Sequence, residues 1–308
     1  MEFKINFSGT GHRYTKEEIA VVVEAMQNAD PLTQGKHRDA FEKKFCEYNG
    51  NKYAFSLCNA TAALELAAQM CLFKEDDELI APSHTFTSSV YPFIKKGAKV
   101  VWADIDLDTR VVTLESIKKC VTSKTKAIVV VHLYGFIIPD IQQIADFANK
   151  NNILLIEDVA QAMGTSIDGK KAGTFGDFGI FSFHSHKNIT TLGEGGMLTV
   201  KEKKYADIIP MLRHNGHCGF DYERKHYWQP AMGNLDLPSL DGENLLPNNY
   251  CLGEVECALG AKLLDRIDEM NAQKRERAVK FIEALKEFDD LVFHKVDDDR
   301  HNYYSPNK

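Results

Sequence analysis

Apolar and polar positions alternate along the chain in two periods. Thr15 to Glu18 has the spacing of a capping box, and Ile19, Val22, Val23 and Met26 follow at helical intervals, which predicts a helix stopped by Asp30-Pro31. Phe41, Phe45 and Tyr48 share one face of a second predicted helix, which ends at the turn signal Asn49-Gly50. Short apolar runs then alternate with helical patterns: strands at 53–57, 79–81, 100–102 and 127–132, helices at 60–71, 87–95, 113–120 and 141–148. The run Ile153-Leu154-Leu155-Ile156 stops at Glu157 and Asp158. Glycine-bearing turns lead on to strands at 179–183 and 196–200 and a helix at 204–213. Strand alternating with helix at this rhythm means crossover connections, hence an α/β fold with a mostly parallel sheet covered on both faces. The stretch 214–249 has no clear period. Beyond it lie predicted helices at 252–270 and 274–287, the second with Val279, Ile282 and Leu285 inward, and an apolar run, Leu291-Val292-Phe293, that is expected to open a new strand.

Composition narrows this picture. The 308 residues are 44% hydrophobic and 26% charged, ordinary for a soluble globular chain with length enough for a large core. A net charge of −7 argues against a general nucleic-acid binder, which carries a basic face. No apolar run approaches the roughly 18–20 residues of a membrane helix. The first residues lack the apolar segment of a secretory signal. Seven cysteines are scattered without pattern, and Cys251 and Cys257 are wrongly spaced for a zinc pair, so reduced thiols in a cytoplasmic protein are expected.

The chemistry gathers between 153 and 197. One buried strand ends in Glu157-Asp158, and a second apolar strand is followed by His184, His186 and Lys187. The carboxyl edge of an open α/β sheet is where ligands bind, so an acid and an amine are predicted to meet there. Adjacent side chains on a strand point to opposite faces, so one acid of the pair suffices. An amine for an aldehyde and an acid for a pyridinium nitrogen are what pyridoxal phosphate requires. Plainer readings remain: Lys187 as a surface lysine, Asp158 as a cap for the next turn. Asn59-Ala60-Thr61 stands where a strand becomes a helix, a junction whose free amides suit a phosphate or simply begin a helix. Ser182 is a hydroxyl for a phosphate or for a sheet edge. Phe86 follows a strand end and stacks either on a flat ligand or in the core. His84, His184 and His186 lack Cys or carboxylate partners at ligand spacing, so no metal site is expected. Gly193-Glu194-Gly195-Gly196 is not a dinucleotide fingerprint.

With these residues in view, the chain resembles the DegT/DnrJ/EryC1/StrS family of sugar aminotransferases. The likeness runs from about 32 to about 260 through LTQGKHRDAFEKKFCEY, CNATAALELA, APSHTFTSSV, VHLYG, IEDVAQAMG, FGDFGIFSFHSHKNITTLGEGGML and NNYCLGEVECALG. The resemblance implies a fold-type I pyridoxal phosphate transferase, with a large domain over 1–260 and the start of a small one over 261–308. It implies Lys187 as the Schiff-base lysine, Asp158 as partner of the pyridinium nitrogen, and Gln161 at the phenolic oxygen. Phe86 and Ala160 would flank the ring. Ala60, Thr61 and Ser182 would hold the phosphate, joined by Asn249 from a neighbouring subunit of a homodimer with shared sites. The implied reaction moves an amino group from glutamate or glutamine to a keto carbon of a nucleotide-linked deoxysugar, for glycan or natural-product amino-sugar synthesis. Related alternatives are a dehydratase of the same family, in which histidine replaces the lysine, and a non-catalytic cofactor-binding regulator. Three departures stand out: Asn59-Ala60-Thr61 replaces Ser-Gly-Thr, Cys251 replaces an arginine, and much of the small domain is expected to be missing.

Overall fold

A computed structural model describes residues 13–216, 237–288, 290–293 and 298–304. Two helices, α1 (Lys16–Asn28) and α2 (Lys36–Asn49), precede strand β1 (Tyr53–Leu57) and helix α3 (Ala60–Met70). There follow β2 (Glu78–Pro82), α4 (Tyr91–Lys95), β3 (Lys99–Ala103), α5 (Leu114–Lys118), β4 (Thr125–Val131), α6 (Ile141–Lys150) and β5 (Leu154–Asp158). A short hairpin of β6 (Ser166–Ile167) and β7 (Lys170–Lys171) leads to β8 (Phe178–Ser182) and β9 (Gly196–Val200). Helices α7 (Lys203–Ala206) and α8 (Ile209–Arg213), the hairpin β10 (Ser239–Leu240) and β11 (Glu243–Asn244), and helices α9 (Glu254–Leu263) and α10 (Ile267–Ala284) complete the order.

Seven strands form one sheet in the order β1-β9-β8-β5-β4-β2-β3. The five from β8 to β3 run parallel, while β9 is antiparallel to both β8 and β1. This is the mostly parallel α/β sheet expected of fold-type I. The central strands read as continuous apolar runs because both faces are covered, and β8 and β9 are buried throughout. Helix α3 lies against β8 and β9 and buries Leu64 and Leu66, each contributing about 1.5–3 kcal/mol. On the other side, Phe41 and Phe45 of α2 pack on Phe183 and Phe181, with ring centroids 5.4 and 4.8 Å apart.

Several elements depart from their predicted form for local reasons. Ile19, Val23 and Met26 lie on the exposed face of α1, while Ala25 and Glu18 are buried. The inward face is selected by Arg266, whose Nε donates to Glu18 Oε1 at 2.5 Å. The helix predicted at 204–213 breaks between α7 and α8, with Pro210 in the first turn of α8. The one predicted at 87–95 divides into a 3-10 turn at Thr87–Ser89 and α4. Of the apolar residues assigned inward on the last helix, Ile282 is buried and Val279 and Leu285 are half-buried. Residues 291–293 form no strand. Most of the stretch without period, 217–236, lies outside the described residues. Helix α2 begins at Gly35, which has no side chain to cap it; Glu254 of α9 accepts from the amides of Gly35 (2.8 Å), His37 (2.7 Å) and Arg38 (3.2 Å) instead. Among the described residues no helix is long and apolar enough to cross a membrane.

Candidate active site

Strands β5 and β8 are parallel neighbours with Asp158 in register with Ile180, so both end at the same sheet edge. Ala60, Thr61, Phe86, Asp158, Ala160, Gln161, Ser182 and Lys187 line one cavity of about 470 Å³ there. Asn249 stays outside it, exposed on a segment bridged to His214.

The pleat separates the two acids. Glu157 is fully buried on the far side, where Oε1 accepts from the amides of Phe175 (2.7 Å) and Gly176 (2.6 Å). Its Oε2 accepts from the amide of Gly173 at 2.9 Å and pairs with His132 Nε2 at 3.0 Å. Because His132 Nδ1 accepts the amide of Ile138 at 3.1 Å, Nε2 carries the proton and donates. Glu157 therefore clamps the turn that feeds β8. Asp158 faces the cavity, 6% exposed. Its Oδ2 accepts the Ser89 hydroxyl at 2.7 Å and its Oδ1 the Ala160 amide at 3.0 Å. Both donors are neutral, and a buried carboxylate so placed favours a cationic ligand group.

At the start of α3, Asn59 accepts from the Ala62 amide at 2.8 Å, leaving the amides of Ala60 and Thr61 for a ligand at the positive end of the helix. Ala60 has ordinary helical backbone, so alanine in place of glycine does not strain the turn. Gly196 lets β9 approach this cup: a Cβ there would lie 2.6 Å from the Ala60 nitrogen. Ser182, nearly buried, adds a hydroxyl. The donor set of two helix-end amides, hydroxyls, a carboxylate and an amine in one cavity fits a phosphorylated pyridine aldehyde. Cys58, next to the cap, has its thiol pushed up by burial, so it does not compete as a thiolate for an aldehyde at neutral pH.

Lys187 follows β8 on a loop anchored by its neighbour Asn188, whose amide donates to Asn271 of α10 at 2.9 Å. Gln161 accepts the Tyr134 amide on Oε1 at 2.6 Å, which turns its NH2 to other acceptors. Cys251 is half-buried and bonds the Arg213 carbonyl at 3.3 Å, away from the cavity. Sequence reasoning missed Ser88 and Ser89, which line the cavity beside Phe86, and Tyr304, whose ring centroid is 4.9 Å from Lys187 Nζ. Nothing in the local pattern around these three residues distinguishes them.

A profile of the DegT/DnrJ/EryC1/StrS aminotransferase family matches residues 13–306. The chain is 35% identical over 246 residues to the GDP-perosamine synthase of Vibrio cholerae, covering 80% of this chain and 62% of that protein. It is 37% identical over 271 residues to the GDP-perosamine synthase of Caulobacter vibrioides, covering 88% and 67%. The chain thus spans about two thirds of the length of these relatives. The solved aminotransferase TlmJ from Streptoalloteichus hindustanus superposes with a TM-score of 0.83 at 26% identity, over 96% of this chain and 76% of that one. A solved GDP-4-keto-6-deoxymannose-3-dehydratase that holds a trapped pyridoxal phosphate–glutamate geminal diamine superposes with a TM-score of 0.77 at 25% identity, over 94% of this chain and 74% of that one. The chain belongs to the DegT/DnrJ/EryC1/StrS aminotransferase family.

Proposed function

We propose that the protein transfers an amino group from glutamate or glutamine to a keto carbon of a GDP-linked deoxysugar. The observation that carries this reading is the meeting of Lys187 and Asp158 in one cavity with a free helix N-terminus. The GDP nucleotide is suggested by the relatives, both GDP-perosamine synthases. When bound, pyridoxal phosphate supplies an electron sink for bonds at the carbon bearing the amine. Lys187 would hold the cofactor's aldehyde through its amine, and the same Nζ, when free, would take up and return the donor's proton. Asp158 would keep a proton on the ring nitrogen, its carboxylate fixed by Ser89 and the Ala160 amide. The amides of Ala60 and Thr61, with Ser182, would hold the phosphate. Phe86 and Ala160 would flank the ring, and the Gln161 NH2 would be the donor for its phenolic oxygen.

The same reading takes the protein as a cytoplasmic homodimer with shared sites. Asn249 lies outside its own chain's cavity, and Phe86 is 68% exposed at the mouth, both positions a second copy would cover. Free thiols at the described cysteines are consistent with a reducing compartment. We divide the chain into a large domain over 1–260 and a smaller one over 261–308. In support, Ala278, Ile282 and Tyr303 form an apolar cluster apart from the main core.

The test is incubation with pyridoxal phosphate, glutamate and GDP-4-keto-6-deoxymannose, read by mass spectrometry. Appearance of the amino sugar nucleotide is expected. Recovery of the keto sugar unchanged by fully loaded protein, or its loss of water alone, would overturn the assignment.

A further inference from the structure

The segment 298–304 crosses the loops that carry the site. Ser166 donates its amide to the Asp299 carbonyl at 2.8 Å, Ile137 to Arg300 at 2.9 Å, and Asn302 to Gly135 at 3.0 Å. Asn302 is buried, and its side chain bonds three backbone groups. Its Nδ2 donates to the carbonyls of Gln161 and Met163, both at 3.1 Å, and its Oδ1 accepts the Tyr304 amide at 3.0 Å. Gly135 is the matching half of this seat: at φ +91° it adopts left-handed backbone, and a Cβ there would lie 1.9 Å from Asn302 Oδ1. The Met163 carbonyl also accepts from Asn271, which holds Asn188 beside Lys187. One amide thus fixes the turn carrying Ala160 and Gln161 and also seats Tyr304 in the cavity wall, its ring facing the Lys187 amine.

We propose that Asn302 is a positioning residue that seats Tyr304 over Lys187, and that this pair retains the cofactor against release. The proposal rests on the reading that the Lys187 amine holds pyridoxal phosphate. A buried amide making three hydrogen bonds cannot swing aside without leaving several groups unpaired, so the wall it builds is stiff. An aromatic face within about 6 Å of an amine-derived cation attracts it and shields it from water.

The experiment loads the full chain with pyridoxal phosphate, adds an excess of a cofactor-free scavenger enzyme, and follows loss of the visible absorbance. Tyr304→Ala should release the cofactor roughly tenfold faster than wild type, the size of a lost aromatic contact of this kind. Tyr304→Phe should release at the wild-type rate, because it keeps the ring. Asn302→Ala should release at least as fast as Tyr304→Ala. Should Asn302→Ala fail to fold by circular dichroism, the two Tyr304 variants decide the matter. Wild-type release from Tyr304→Ala, or equally fast release from Tyr304→Phe and Tyr304→Ala, overturns the proposal. A purely structural role would lower the melting temperature and leave the release rate unchanged. Lys187→Ala separates the two levels: if it keeps the cofactor with the wild-type spectrum, the reading of Lys187 itself has failed, whatever Tyr304 does.

Discussion

Replacing Glu157 by glutamine changes one atom type in the interior, and its cost can be worked out from the bonds. Each carboxylate oxygen accepts from two donors: Oε1 from Phe175 and Gly176, Oε2 from Gly173 and His132. An amide presents one oxygen and one NH2. Whichever way it is turned, two buried donors face another donor. His132 cannot relieve the conflict by moving its proton, because Nδ1 already accepts from Ile138. An unsatisfied buried donor costs about 1–3 kcal/mol, so Glu157→Gln should destabilise the fold by about 2–6 kcal/mol. The assay is urea unfolding followed by circular dichroism, with Glu115→Gln as control. Glu115 is an exposed partner of Lys119, and its replacement should cost less than about 1 kcal/mol. If Glu157→Gln unfolds at the same urea concentration as the control, the four-donor clamp under β8 is not what holds that turn.

Three further outcomes are expected. Asp158→Asn should leave cofactor-free stability unchanged or raise it by about 1 kcal/mol, since Ser89 can turn its hydroxyl to accept, while turnover falls at least roughly a hundredfold; equal turnover in a steady-state assay would refute the role of the charge. Gly196→Ala forces a methyl against Asn59 and Ala60, so it should destabilise by about 1–3 kcal/mol and weaken pyridoxal phosphate binding, measured by titration; unchanged affinity would show that the phosphate is held elsewhere. Burial raises the carboxyl pKa of Asp177, so the folded state holds its proton to higher pH than the unfolded chain, and stability falls as pH rises through that interval. Asp177→Asn, which keeps an oxygen for the Leu155 amide, should therefore be more stable than wild type at neutral pH, with the gain vanishing below pH of about 4; a gain independent of pH would contradict this.

Much of the fold is legible from local pattern because the sheet is buried on both faces. Strands 53–57 and 196–200 come out with the observed bounds, since each is a short apolar run closed by turn residues. The face of α1 is not legible, because apolar residues occur on two sides and the choice depends on Arg266, far along the chain. The cap of α2 is hidden for the same reason: Gly35 looks uncapped until Glu254 is brought to it. In the cavity, residues next to strand ends can be anticipated from alternation and resemblance. Ser89 and Tyr304 cannot, because one reaches Asp158 through a tertiary hydroxyl contact and the other arrives on a distant segment.

Reduction with borohydride after incubation with pyridoxal phosphate, followed by peptide mapping, asks directly which amine holds the cofactor. Lys170, Lys171 and Lys274 are the competitors, because burial lowers the pKa of each amine and leaves more of it unprotonated. Stoichiometric label on the peptide containing Lys187, absent from Lys187→Ala, is the expected result. Label at Lys170, Lys171 or Lys274 equal to that at Lys187, or spread over surface lysines, would contradict the placement of the active amine beside Asp158.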